Sequence, residues 1–227
     1  MGSIIAHDEW RLAHSITSKV LKWGDLTNVS DVRLFLGTAG VDCKWIHGFF
    51  LIAKLLTLLM QKSTSEFFFS QEACDAQQKL KDMLSTASIL IKIDYDIVLW
   101  FSANNKMPHA SEEGLVVLAV NSCSHGAGWI LEQIIGKDKR PVMYGSCTPS
   151  AVESFYFQPK SELYSVFHAV NDLHHQIWGI HFHLDVDAKF LLEMIRHPDL
   201  PNAPMTQWVL YLTLFDFQVN HVPASFH

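Results

Sequence analysis

Between residues 28 and 84 the apolar positions read as three helices separated by short polar breaks. Residues 28–30 (NVS) supply a cap signal, Asp31 sits in the first turn, and Val32, Phe35 and Leu36 follow at helical spacing. Gly37 and Gly40 suit close packing or a helix end. A second helix is predicted over about 47–60, with KSTS (62–65) as a loop and residues 67–69 extended. Ser70 then caps a third helix running to about Leu84. Ahead of these, KVLKW (19–23) reads as a short extended piece, and Phe35, Leu36, Ile46, Leu55 and Leu59 are expected to be buried together.

From residue 115 the pattern changes. LVVLAVNSCSHGAGWILEQ (115–133) is an apolar run, a polar break, then small residues leading into a second apolar run, the signature of a strand hairpin. Strands are predicted near 115–121, 127–134, 141–147, 180–186 and 216–222. Helices are predicted near 160–174, near 188–196 and after Pro204. Three strands in series followed by helix, strand and helix is an α/β (α+β) arrangement with a mixed sheet. Between the two patterns, SILIKIDY reads as a strand and residues 103–114 as a polar, turn-rich stretch that marks a boundary.

Charge alters the picture in one respect. Ten Lys and Arg stand against eleven Asp and Glu in residues 1–100, and seven against twelve in residues 101–227. A basic footprint for phosphate binding is missing, most clearly in the second half. The four cysteines (Cys43, Cys74, Cys123, Cys147) lack zinc spacing and read as free thiols. The stretch FFLIAKLLTLLM (49–60) carries Lys54 and is too short to span a bilayer, so no membrane association is expected.

Several segments resemble gypsy-type LTR retrotransposon pol polyproteins in their order and spacing. Val32-Arg33, Phe35-Leu36-Gly37, Trp45-Ile46 and residues 56–59 (LTLL) resemble the post-palm "LRxFLG…FI…PLTxLL" segment of the reverse transcriptase. Phe67 to Phe69, Leu80-Lys81 and Leu90 to Asp94 follow as "FxW…LKxxL…PVLxxxD". Residues 119–121 (AVN) with 126–128 (GAG) resemble "xxDASxxGxGxVL", and residues 158–164 (QPKSELY) the helix that supplies a catalytic glutamate. Residues 184–189 (LDVDAK) resemble "TDHxxL", and FDFQVNHVP (215–223) resembles "FxFxVxHxPG".

The resemblance implies a small helical unit over 1–95 (thumb- or connection-like), a linker over 96–114, and a ribonuclease H-like five-stranded mixed sheet with packed helices over 115–227, lacking its C-terminal end. It implies Mg²⁺-dependent cleavage of RNA in an RNA–DNA hybrid inside the cell, with the remainder of a pol polyprotein as a further partner. The implied metal ligands are Glu162 and Asp187, with Asp185 lending charge from the same face. The position that bridges two metal ions in the family is Asn121 here, and the final aspartate and the polymerase palm are absent. An amide removes the central negative charge, so hydrolysis and hybrid binding are expected to be weak or lost. The alternatives are a non-catalytic module binding nucleic acid or protein, and an active nuclease within a longer chain. His181 and His183 share one strand face and are expected at the surface of an edge strand.

Overall fold

The computed structural model describes residues 3–6, 9–12, 14–61, 67–87, 89–103, 112–123, 126–150, 152–187, 190–197, 200 and 202–222. The chain opens with two antiparallel strands, β1 (Ser3–Ala6) and β2 (Glu9–Leu12), followed by helix α1 (His14–Leu21). Helices α2 (Val29–Val41), α3 (Phe49–Gln61) and α4 (Gln71–Ser85) come next. The predicted cap at Asn28 forms: its side chain accepts from the Asp31 N–H at 2.9 Å, while the Asp31 carboxylate accepts from Thr27 N–H at 3.1 Å. Phe35, Ile46, Leu56, Leu80 and Leu84 form one core, with Ala39, Ala73 and Ala76 letting the helices approach.

Three details of the first half differ from the sequence reading. Residues 19–21 end α1 rather than forming an extended piece, because the short amphipathic run packs its Val20 into the helical core. Leu55 is 40 % exposed, whereas its neighbour Leu56 is fully buried; in a run apolar on every side, composition does not say which face turns inward. The first half also contains a small sheet, since β2 pairs with the two-residue strand β3 (Leu90–Ile91).

Helix α5 (Tyr95–Ala103) occupies much of the expected linker, and Ile91, Ile93 and Val98 belong to the core of the second half. Residues 104–111 of that linker lie outside the described residues. The buried amide of Gln133 ties the join together: it accepts from Asp94 N–H at 2.8 Å and donates to the carbonyls of Asp94 and Gly114.

Strands β4 (Val116–Cys123), β5 (Gly126–Ile135) and β6 (Asp138–Cys147) form an antiparallel meander. Helix α6 (Gln158–Asp172), with Pro159 in its first turn, leads through the short α7 (His174–Ile177) to β7 (His181–Val186). Helices α8 (Leu191–Arg196) and α9 (Ala203–Leu212) precede β8 (Asp216–His221). The five-stranded sheet has the order β6-β5-β4-β7-β8, with β7 parallel to both neighbours. Val116, Leu118 and Val120 of β4 and Phe182, Leu184 and Val186 of β7 bury one face under Leu163, Val166 and Val170 of α6 and Val209 of α9. This is a ribonuclease H-like fold.

Because β7 is an inner strand, His181 and His183 are buried rather than at an exposed edge. The His181 Nδ1 lies 3.0 Å from Asp216 Oδ1 and the His183 Nδ1 lies 3.1 Å from the Asn220 amide. Burial lowers the His183 pKa from its ordinary value, and the neighbouring His181 pushes in the same direction.

Candidate active site

Strand β4 is paired with β7 so that Val120 faces Val186, which brings the end of β4 level with the exit of β7. Asn121 follows Val120, and Asp187 follows Val186. Helix α6 crosses this end of the sheet with Glu162 in its second turn. Asn121, Glu162 and Asp187 thereby line one recess of about 70 Å³, together with Ser122 and Gln158. A wider hollow of about 310 Å³ adjoins it, sharing Ser122, Gln158 and Glu162 and adding Glu153, Tyr156 and Ser161.

Both carboxylates of the recess have a polar partner. The Gln158 amide donates to Glu162 Oε1 at 2.9 Å, one helical turn apart. His221 Nε2, at the end of β8, lies 3.1 Å from Asp187 Oδ1. Burial pushes the Glu162 carboxyl above its ordinary pKa; the Gln158 hydrogen bond opposes this and the Asp187 charge adds to it. Neither Gln158 nor His221 was singled out from sequence. Gln158 was legible as the residue four before Glu162, and His221 as the histidine of the last motif, but what each touches depends on strand register.

Asp185 is placed elsewhere. Its register partner is Ala119, and side chains alternate along a strand, so Asp185 projects from the face opposite α6. There it meets Lys139 Nζ at 3.4 Å and accepts from the Asn220 amide at 3.1 Å. It lines a separate recess of about 340 Å³ with His47, Asn121, Glu132 and Lys139. The expectation that Asp185 shares the face of Asp187 fails because β7 ends at Val186 and the alternation stops with it.

Two carboxylates and an amide oxygen are the hard donors that Mg²⁺ takes. This set suits one divalent cation. Among the described residues no three His, Cys, Asp or Glu side chains gather in a metal-holding group. Among the described residues, no helix is long and apolar enough to cross a membrane.

Residues 111–215 match the RNase H-like domain found in reverse transcriptase. Over 99 % of its length the chain is 24 % identical to the retrovirus-related Pol polyprotein from transposon 297 of Drosophila melanogaster, and spans 19 % of that relative. Over 91 % of its length it is 22 % identical to the transposon Tf2-3 polyprotein of Schizosaccharomyces pombe, and spans 14 % of it. The fold matches a foamy viral protease–reverse transcriptase in complex with RNA/DNA hybrid, with a TM-score of 0.70 over 99 % of this chain and 29 % of that one at 14 % identity. The same viral protein in complex with double-stranded DNA gives a TM-score of 0.69 over 97 % of this chain and 38 % of that one, at 13 % identity. Residues 111–215 thus match the RNase H-like domain of reverse transcriptases, and nearly the whole chain is similar to a short stretch of retrotransposon pol polyproteins.

Proposed function

We propose that this chain is a reverse transcriptase and ribonuclease H segment whose recess descends from a site that hydrolyses RNA in an RNA–DNA hybrid, and that hydrolysis here is severely impaired. The observation that carries the reading is the convergence of Asn121, Glu162 and Asp187 on one recess from three elements far apart in sequence. Glu162 and Asp187 would hold a Mg²⁺ ion, with the Asn121 side-chain oxygen as a neutral third donor. Such an ion, when bound, activates water and offsets charge on the leaving oxygen. Gln158 holds Glu162 in place and His221 holds Asp187, so both carboxylates are oriented by protein partners.

The impairment follows from charge. Two unit charges 4 Å apart attract by roughly 4 kcal/mol at an effective dielectric of 20, and the amide at position 121 forfeits that attraction. The acidic balance of the second half opposes hybrid binding as well, because phosphate contacts depend on Lys and Arg. The purified chain should show little or no cleavage of an RNA–DNA hybrid in Mg²⁺ or Mn²⁺. Robust cleavage that Glu162→Gln abolishes would overturn the assigned impairment. Equal Mn²⁺ affinity in the unaltered, Glu162→Gln and Asn121→Asp chains would overturn the metal-site reading.

A further inference from the structure

Helix α3 does more than fill the helical core. Its N-terminal end bears on β5 and β6 from the sheet face opposite α6, and Phe50 makes the contact with β5. Phe50 is 6 % exposed. A Cβ added at Gly126 would collide with the Phe50 ring, and one at Gly128 would sit 3.6 Å from Phe50 Cε1. Both glycines leave bare backbone for the ring to rest on. Gly128 is the register partner of Asn121, and Gly126 that of Cys123. Just before α3, His47 packs edge-on against Tyr144 of β6, with ring centroids 5.8 Å apart, and lines the recess that also contains Asn121.

We propose that Phe50 is a positioning residue for Asn121, so that the helical unit sets the geometry of the candidate metal site in the sheet. The proposal rests on the metal-site reading of that recess. Asn121 begins the last three residues of β4, where the strand pairs with β5 and no longer with β7, because the β4–β7 ladder stops at Val120. With β7 no longer alongside, the position of residue 121 depends on where β5 lies. Phe50 sets the height of β5 by resting against its backbone at Gly126 and Gly128. Phe50 is not among the described residues that line the recess, so its influence on a cation passes through the Asn121–Gly128 pair. Groups that hydrogen-bond a metal ligand commonly change metal affinity by about 10- to 100-fold when removed, and a prop that acts through the backbone is expected at the lower end.

The test uses the full chain carrying Asn121→Asp, in which Mn²⁺ itself is the probe. Phe50→Ala should weaken Mn²⁺ binding about tenfold by titration calorimetry, while Phe50→Leu, which keeps an apolar knob over the glycines, should recover most of it. Leu56→Ala, buried in the helical core, serves as the control for lost stability alone and should leave Mn²⁺ affinity unchanged. Amide hydrogen exchange gives the metal-free readout. Phe50→Ala should speed exchange across residues 119–123 and 126–130 relative to Leu56→Ala, and leave the β7–β8 ladder unchanged. Equal exchange in the hairpin for the two variants would overturn the proposal, whatever Mn²⁺ does. Faster hairpin exchange without any Mn²⁺ binding by the Asn121→Asp chain would sink the metal-site reading while keeping Phe50 as the support of the hairpin.

Discussion

The two hydrophobic cores of this chain are assembled on different plans. The helical core draws its buried residues from Val20 to Leu84, and alanines at helix contacts let neighbouring helices come close. The sheet core collects residues from Ile91 to Phe215 and depends on strands that meet across long stretches of chain. Only the second plan brings Asn121, Glu162 and Asp187 together. A bundle of consecutive helices keeps sequence neighbours close, whereas a parallel crossover sets distant segments side by side. The comparison also shows that the cores are not divided where turn-forming composition suggests: the sheet core recruits Ile91, Ile93 and Val98 from ahead of the polar stretch.

The largest expected effect tests whether the cores stand or fall together. Phe35→Ala in the helical core and Phe182→Ala in the sheet core, both fully buried, should each lower stability by about 3–5 kcal/mol. Because Gln133 and Phe50 bind the halves to one another, each variant should unfold in a single transition, followed in urea by circular dichroism and tryptophan fluorescence. A Phe35→Ala chain that melts in two steps, the sheet surviving the first, would break the link between the cores.

Next in size is the site itself. Asn121→Asp should strengthen Mn²⁺ binding at least several-fold, or about 1 kcal/mol, measured by titration calorimetry. The change belongs to the sheet plan alone, and Leu56→Ala should not reproduce it.

A smaller effect comes from pH. Burial depresses the His183 pKa below its ordinary 6.5, and the groups facing it are His181, Asp185, Lys139 and Asn220. The unfolded chain therefore takes up this proton first as the solution is acidified. The stabilisation is fully present above pH 6.5 and is lost as pH falls through the lower folded value. His168, also depressed by burial, acts in the same direction. Urea midpoints between pH 7.5 and 5 should fall, and His183→Gln should flatten the slope. An unchanged slope would mean that His183 binds its proton equally well in the folded and unfolded chains.

The smallest effect separates neighbouring leucines. Leu55→Ala should cost no more than about 0.5 kcal/mol, whereas Leu56→Ala should cost about 2–5 kcal/mol. Equal losses, read as shifts in the urea midpoint, would mean that Leu55 is covered in solution.

Much of the sheet is legible because short apolar runs bounded by turn residues mark buried strands such as β4 and β7. The hairpin, α6 and the strand before Asp187 fall close to their expected places, whereas Asn121, Glu162 and Asp187 are named by the resemblance of their motifs and not by the pattern. What stayed hidden depends on tertiary partners. Gln133 is a polar residue in an apolar strand, and its three backbone contacts arise only when residues 94 and 114 come alongside. His181 and His183 look like surface residues by type; their burial depends on β8 pairing beyond them. The opposed placement of Asp185 and Asp187 turns on a strand ending one residue earlier than a continued alternation requires.

The parallel position of β7 has a consequence for the order in which the molecule takes shape. The helices and the β4–β5–β6 meander join segments that follow one another in the chain, and such local contacts form quickly. The ladders from β7 to β4 and β8 must wait for loop closures across α6 and across α8 and α9. Asp187 can reach Glu162 and Asn121 only when β7 inserts beside β4. The candidate site is therefore among the last parts of the chain to be completed, because Glu162 on α6 and Asn121 on the hairpin gain Asp187 only when the β4–β7 ladder closes.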